Sequence, residues 1–185
     1  MIIYIHGFGG SGAGVKSTLF RKYFKNLGVD FIAPSLSYTP NLAIQTLEEL
    51  IESYENVTLI GSSLGGFYSM YLSQKYDVKA VLINPSIYPM ETLLHHTGHA
   101  PSFYDESYFK WSSTHVEMLI KYTTTLTKPQ NFMLLVQKDD ELLDYKKAVT
   151  FVDGAKIIVE EGGNHSFVGI KNHFLIIYDF LFAKD

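Results

Sequence analysis

Four short runs of this chain are apolar at nearly every position: Ile2–Ile5, Val57–Ile60, Ala80–Ile83 and Phe132–Val136. A strand that is apolar on both faces has to be covered on both faces, and no other feature constrains the fold as much. Two weaker runs, Asp30–Ala33 (stopped by Pro34) and Lys156–Val159, extend the set to six. Helical patterns lie between them. Val15, Leu19, Phe20, Tyr23, Phe24 and Leu27 share one helical face, as do Ala43, Ile44, Leu47, Leu50, Ile51 and Tyr54. Leu64–Lys75 continues as a helix with Phe67, Tyr68, Tyr71 and Leu72 inward, and Gly169–Phe182 reads as a strongly apolar helix. Strands alternating with helices predict the α/β class, with three α/β/α layers around a mostly parallel sheet of about six strands.

The segment Pro85–Lys128 is far longer than an ordinary crossover and is rich in aromatic residues. Long insertions at the C-terminal edge of such a sheet serve as lids or pocket walls. A single domain over 1–185 is therefore expected, with a small helical lid or cap at 86–128. Tyr88, Phe109 and Trp111 are candidates for the pocket wall, although aromatics would equally pack the insertion's own core.

Residues 57–66 read VTLIGSSLGG. Gly61-x-Ser63-x-Gly65 falls between a strand and a helix, where a nucleophile elbow requires it. The serine has to stand on a sharp turn, and the flanking glycines remove side chains that would clash there. The first N–H groups of the helix then face the site and favour developing negative charge. A serine nucleophile needs a base and an orienting acid, which in this arrangement follow in the order acid, then histidine. The fifth strand runs into Asp139-Asp140-Glu141, and the sixth into Gly162-Gly163-Asn164-His165. The candidate catalytic residues are thus Ser63, Asp140 and His165, with Asp139 as the competing acid. Backbone N–H groups of Phe8, after His6-Gly7 on the first loop, and of Leu64, after the nucleophile, are the candidate oxyanion hole. Ser62 is expected to support the elbow, His6 to anchor its loop and His173 to be structural.

HGF at 6–8, GSSLGG at 61–66, NP at 84–85, DELLDY at 140–145 and GGNHSFVG at 162–169 resemble the small bacterial YqiA-type esterases of the α/β-hydrolase superfamily. The resemblance runs end to end. It implies a carboxylesterase acting on short acyl esters or acyl-CoA thioesters, on a sheet lacking the first two strands of larger hydrolases. Two departures stand out. Gly9-Gly10-Ser11-Gly12 follows HGF where the family often has Asn-Ser-Ser-Pro, and Asp139 stands where the family has Gly. The family's Asp-Glu-x-Leu-Asp-Tyr spacing favours Asp140 as the acid.

Other readings are weighed against this one. Gly7-x-Gly9-x-x-Gly12 matches a dinucleotide fingerprint, with Asp30 near the expected distance, and Gly9–Ser17 misses a P-loop by one residue. Neither accounts for Ser63, Asp140 and His165. A thioesterase, amidase or carbon–carbon hydrolase could use the same triad, and a non-catalytic binding protein could use the same fold. The chain contains no cysteine, so thiolate zinc sites, disulfides and cysteine nucleophiles are excluded. The formal charge of −4 offers no basic patch for nucleic acid. The spacing of His95, His96 and His99 favours a loop or lid role over a metal site, so no metal is expected, and the triad mechanism needs no cofactor. No apolar run is long enough to span a membrane, and a cytoplasmic location is expected.

Overall fold

A computed structural model describes residues 1–183, so the last two positions of the expected 1–185 domain lie outside the described residues. Six strands form one sheet: β1 (Ile2–Ile5), β2 (Phe31–Ile32), β3 (Thr58–Ser62), β4 (Ala80–Ile83), β7 (Phe132–Gln137) and β8 (Lys156–Glu160). Their order is β2-β1-β3-β4-β7-β8, and every pairing is parallel. Two further strands, β5 (Gly98–Pro101) and β6 (Tyr108–Trp111), form a separate antiparallel pair inside the insertion. The helices are α1 (Val15–Asn26), α2 (Pro40–Ser53), α3 (Leu64–Tyr76), α4 (Pro89–Leu93), α5 (Ser113–Ile120), α6 (Tyr145–Phe151) and α7 (Phe174–Phe182).

The period-two alternation of the strands divides the core into two layers. Ile3, Ile5, Leu59, Leu82, Leu134 and Val136 face α2, α3, α6 and the insertion. Ile2, Tyr4, Ile60, Val81, Ile83, Met133 and Leu135 face α1 and α7, through Phe20, Phe24, Phe174 and Ile177. This is why the strand sequences read as unbroken apolar runs. Parallel pairing also brings all the strand C-termini to one edge. Ser62 lies beside Ile83, and Gln137 beside Glu160.

Several expectations need correction. The second strand shrinks to Phe31–Ile32. Val15 and Leu27 do not join the buried face of α1, because they sit at its first turn and its C-cap, beyond the reach of the sheet. The tail begins with a 3₁₀ turn at Ile170–His173, and α7 starts only at Phe174. The insertion is not purely helical, since its middle is the β5–β6 hairpin. There Ala100, Phe109 and Trp111 turn inward while His99, Tyr108 and Lys110 stay exposed. Trp111 is buried, donates from Nε1 to the Leu93 carbonyl at 2.9 Å and packs edge-on against Phe8. It is a core anchor of the insertion and not a wall residue of the cleft described below.

Candidate active site

The β3–α3 turn places Ser63 at φ 55° and ψ −120°, in the left-handed half of the map, where a side chain is strained. Close packing maintains the strain. A Cβ on Gly65 would lie 2.0 Å from the Ile5 carbonyl oxygen, and one on Gly61 would lie 2.3 Å from the Gly65 carbonyl oxygen. Neither position admits a side chain while β1, β3 and α3 keep these distances. The turn is tied to its neighbours by Ser63 N–H donating to Ile83 O (3.1 Å) and Ser86 N–H donating to Ser63 O (3.0 Å).

The loops after β7 and β8 meet above this turn. Ser63 Oγ lies 3.0 Å from His165 Nε2. On the other side of the ring, Nδ1 lies 3.0 Å and 2.8 Å from the two carboxylate oxygens of Asp140. Because an ionised carboxylate only accepts, Nδ1 carries the proton and Nε2 is free to accept from the hydroxyl. The Asp140 side chain is 2% exposed. Burial pushes its pKa up, but the His165 ring and the N–H groups of Leu142 and Leu143 outweigh this and hold the carboxyl below its ordinary range. Asp139 is exposed and points no bond at the imidazole; its backbone N–H donates to Gly162 O.

Phe8 and Leu64 flank the serine, and their N–H groups donate to no acceptor among the described residues. A Cβ on Gly7 would lie 3.1 Å from Ser63 Cβ, so the first loop passes directly over the elbow. His6 anchors that loop. Its Nε2 accepts from Leu36 N–H (3.0 Å), which leaves Nδ1–H to donate to Gly7 O (2.8 Å). Burial pushes the pKa of this imidazole down, against the opposing effect of the Gly7 carbonyl, and keeps the ring neutral. The hairpin holds the loop from above, through Phe103 N–H donating to Gly9 O (2.8 Å) and Phe8 packing on Phe109.

A cleft of about 140 Å³ opens beside these N–H groups; Phe8, Tyr38, Leu64, Tyr68 and Phe109 are among its lining residues, and Ser63 and His165 are not. Tyr88 is not there. It lines a second cleft of about 260 Å³ with Ser86, Thr92, Leu142 and Lys147. The remaining glycines of the first loop are committed internally. The Gly12 carbonyl accepts from Ser17 and Arg21, and the Lys16 ammonium donates to Ser166 O. His95, His96 and His99 are exposed at the start of the insertion. His173 donates to Glu160 (2.8 Å).

Some supporting contacts were not apparent from spacing. Asn84, buried and at φ 39°, donates from Nδ2 to the carbonyls of Asn164 (3.0 Å) and His165 (3.1 Å). Glu141 accepts from His165 N–H (2.9 Å). The only hint in the sequence is the Asn84-Pro85 pair that follows β4.

The six-stranded parallel sheet, the helices on both faces and the strand–serine–helix elbow define a protein of the α/β-hydrolase fold. Comparison with known proteins agrees. The chain overlays α/β-hydrolase domain-containing protein 10 from mouse with a TM-score of 0.75 at 20% identity, covering 96% of this chain and 86% of that one. It overlays Est1E from Butyrivibrio proteoclasticus, in a structure with bound ferulic acid, with a TM-score of 0.75 at 12% identity, covering 99% and 89%. Residues 1–182 match the model of UPF0227, an uncharacterised protein family, and the chain belongs to that family, the YqiA-like group its motifs resemble. A UPF0227 protein of Vibrio campbellii is 24% identical over 179 residues, covering 94% of each chain.

Proposed function

We propose that the protein is a serine carboxylesterase acting on short-chain acyl esters, with acyl-CoA thioesters as a related substrate class. The observation that carries this reading is the unbroken chain from Ser63 Oγ through His165 to Asp140, set beside two N–H groups that have no acceptor among the described residues. His165 Nε2 takes the Ser63 proton as Oγ attacks the acyl carbonyl. The carbonyl oxygen becomes an oxyanion and accepts from Phe8 and Leu64 N–H. Asp140 holds the ring tautomer and stabilises the imidazolium. The tetrahedral adduct then collapses, the bond to the leaving alcohol breaks, and His165 returns its proton to that oxygen. Water, deprotonated by the same histidine, releases the acid and restores the serine. Every proton in this cycle moves through His165, and no cofactor enters it.

The cleft volume bears on chain length. About 140 Å³ lies below the roughly 300–1,000 Å³ of drug-sized pockets, which suits a short acyl group. The insertion at 86–128 acts as the cap, and it does so by walling this cleft with Ser102 and Phe109. The deciding experiment is hydrolysis of p-nitrophenyl butyrate, with fluorophosphonate labelling alongside. The native chain should turn over the ester and take one label, and Ser63→Ala should do neither. Undiminished hydrolysis by Ser63→Ala would sink the assignment.

A further inference from the structure

The last residue of β7 is polar and buried. Strand alternation turns Gln137 to the same side as Met133 and Leu135, facing the layer that contains Phe167 and Ile170. An apolar side chain would satisfy that burial at no cost in desolvation, so an amide needs another reason to be there. Its hydrogen bonds supply one. Nε2 donates to Glu160 Oε2 (2.7 Å) and to Val168 O (2.7 Å). Oε1 accepts from Asn164 N–H (3.1 Å) and Val168 N–H (2.9 Å). Both donors and both acceptor sites of the amide are used, and three of the four bonds go to the backbone on either side of His165. The main chain of the same residue is engaged as well. Gln137 N–H donates to Asn84 Oδ1 (3.0 Å), and its carbonyl accepts from Asp140 N–H (3.3 Å). The fit is tight: a Cβ on Gly163 would lie 2.1 Å from Gln137 Oε1.

We propose that Gln137 is the positioning residue of the triad, its side chain setting the height of the histidine loop and its carbonyl the start of the acid loop. This rests on the esterase reading above. Gln137 is buried and its side-chain hydrogen-bonding sites are filled from within the chain, so it acts on the imidazole's placement and not on substrate binding. Glu160 holds the amide in its rotamer and is itself held by His173. Without the amide, two N–H groups and one carbonyl of the loop lose their partners, and His165 loses its fixed distance to Ser63. A displacement of the order of 1 Å at a reacting group costs about 10²-fold in rate.

The test is Gln137→Met, which keeps the length and removes all four bonds. Steady-state kinetics on p-nitrophenyl butyrate should show kcat down by about 10²-fold with KM nearly unchanged. In the same samples, the far-downfield proton resonance of an imidazole N–H held by a carboxylate should broaden or vanish, while near-UV circular dichroism stays native. Unchanged kcat with the resonance intact would overturn the proposal. Should Gln137→Met fail to fold, Gln137→Glu and its pairing with Glu160→Gln take its place. The single change keeps an acceptor for the two loop N–H groups but sets two carboxylates together and turns an acceptor onto Val168 O, and should lower kcat; the pair restores the amide–carboxylate contact with the roles exchanged, leaves Val168 O without its donor, and should recover part of the loss. A pair no faster than the single variant would also overturn the proposal. A native chain that neither hydrolyses the ester nor takes the label would refute the esterase reading instead, and the resonance alone would then decide the role of Gln137.

Discussion

Replacing Asp140 by Asn tests the proposed mechanism at the atom where the structure is most explicit. Oδ1 of Asp140 accepts from Leu142 N–H and Leu143 N–H, both at 2.9 Å. An asparagine must keep its carbonyl oxygen there, because an NH₂ group would face two donors. Its NH₂ then takes the place of Oδ2, 2.8 Å from His165 Nδ1. Two donors cannot share that contact, and Oδ1, 3.0 Å from Nδ1, is already engaged by two backbone N–H groups, so the imidazole proton moves to Nε2 and points at Ser63 Oγ, 3.0 Å away. The ring can no longer accept the serine proton. Substitution to the wrong tautomer in a triad costs about 10⁴-fold in kcat, or about 5.4 kcal/mol of barrier. The backbone bonds of the acid loop survive, so the variant stays folded. The assay is kcat on p-nitrophenyl butyrate for Asp140→Asn beside Asp139→Asn, whose exposed side chain should leave the rate within about twofold. Loss of less than about tenfold in the first, or an equal loss in the second, would refute the tautomer argument.

Three further outcomes follow from the geometry. The lowered pKa of Asp140 means that its contribution to stability is fully present above the unfolded value of about 3.9 and is lost as pH falls through the folded one. The difference in urea stability between the native chain and Asp140→Asn should therefore hold steady from neutral pH down to about pH 5 and shrink in stronger acid; a constant difference throughout would contradict it. Gly65→Ala drives a Cβ to 2.0 Å from Ile5 O and should cost about 3 kcal/mol, read as a fall in Tm of about 6–12 °C. A shift within 1 °C, on the order of measurement error, would show that the elbow is looser than described. Phe109→Ala opens the cleft next to Tyr38 and should raise the preference for octanoyl over butyryl esters by roughly tenfold in relative kcat/KM. An unchanged ratio would place the acyl group elsewhere.

The parts legible in the sequence share a physical cause. The strands announce themselves because burial on both faces forces a local, contiguous signal, as in Ile2–Ile5 and Phe132–Gln137. Ser63, Asp140 and His165 could be picked out because each sits just beyond a strand, and parallel pairing brings those ends together. The insertion was less legible, since its aromatics serve different ends. Phe109 faces the cleft, Trp111 anchors the core and Tyr88 borders another cleft, and only three-dimensional neighbours separate these roles. Asn84 and Gln137 were opaque for a similar reason. Their partners lie 80 and 31 residues away along the chain, and an isolated buried amide has no periodicity to betray it.

The bond from Phe103 to Gly9, with Phe8 seated against Phe109 and Trp111, has a consequence for engineering and descent. At φ 66°, with Pro101 O 2.3 Å from where a Cβ would stand, Gly9 is shaped to the hairpin above it. The hairpin and residues 6–10 therefore form one inheritable module, although some ninety positions separate them. A chimera that borrows a relative's hairpin should fail unless it also takes that relative's first loop. Substitutions at 8 and 9 should accordingly track changes at 101–111 when related chains are compared.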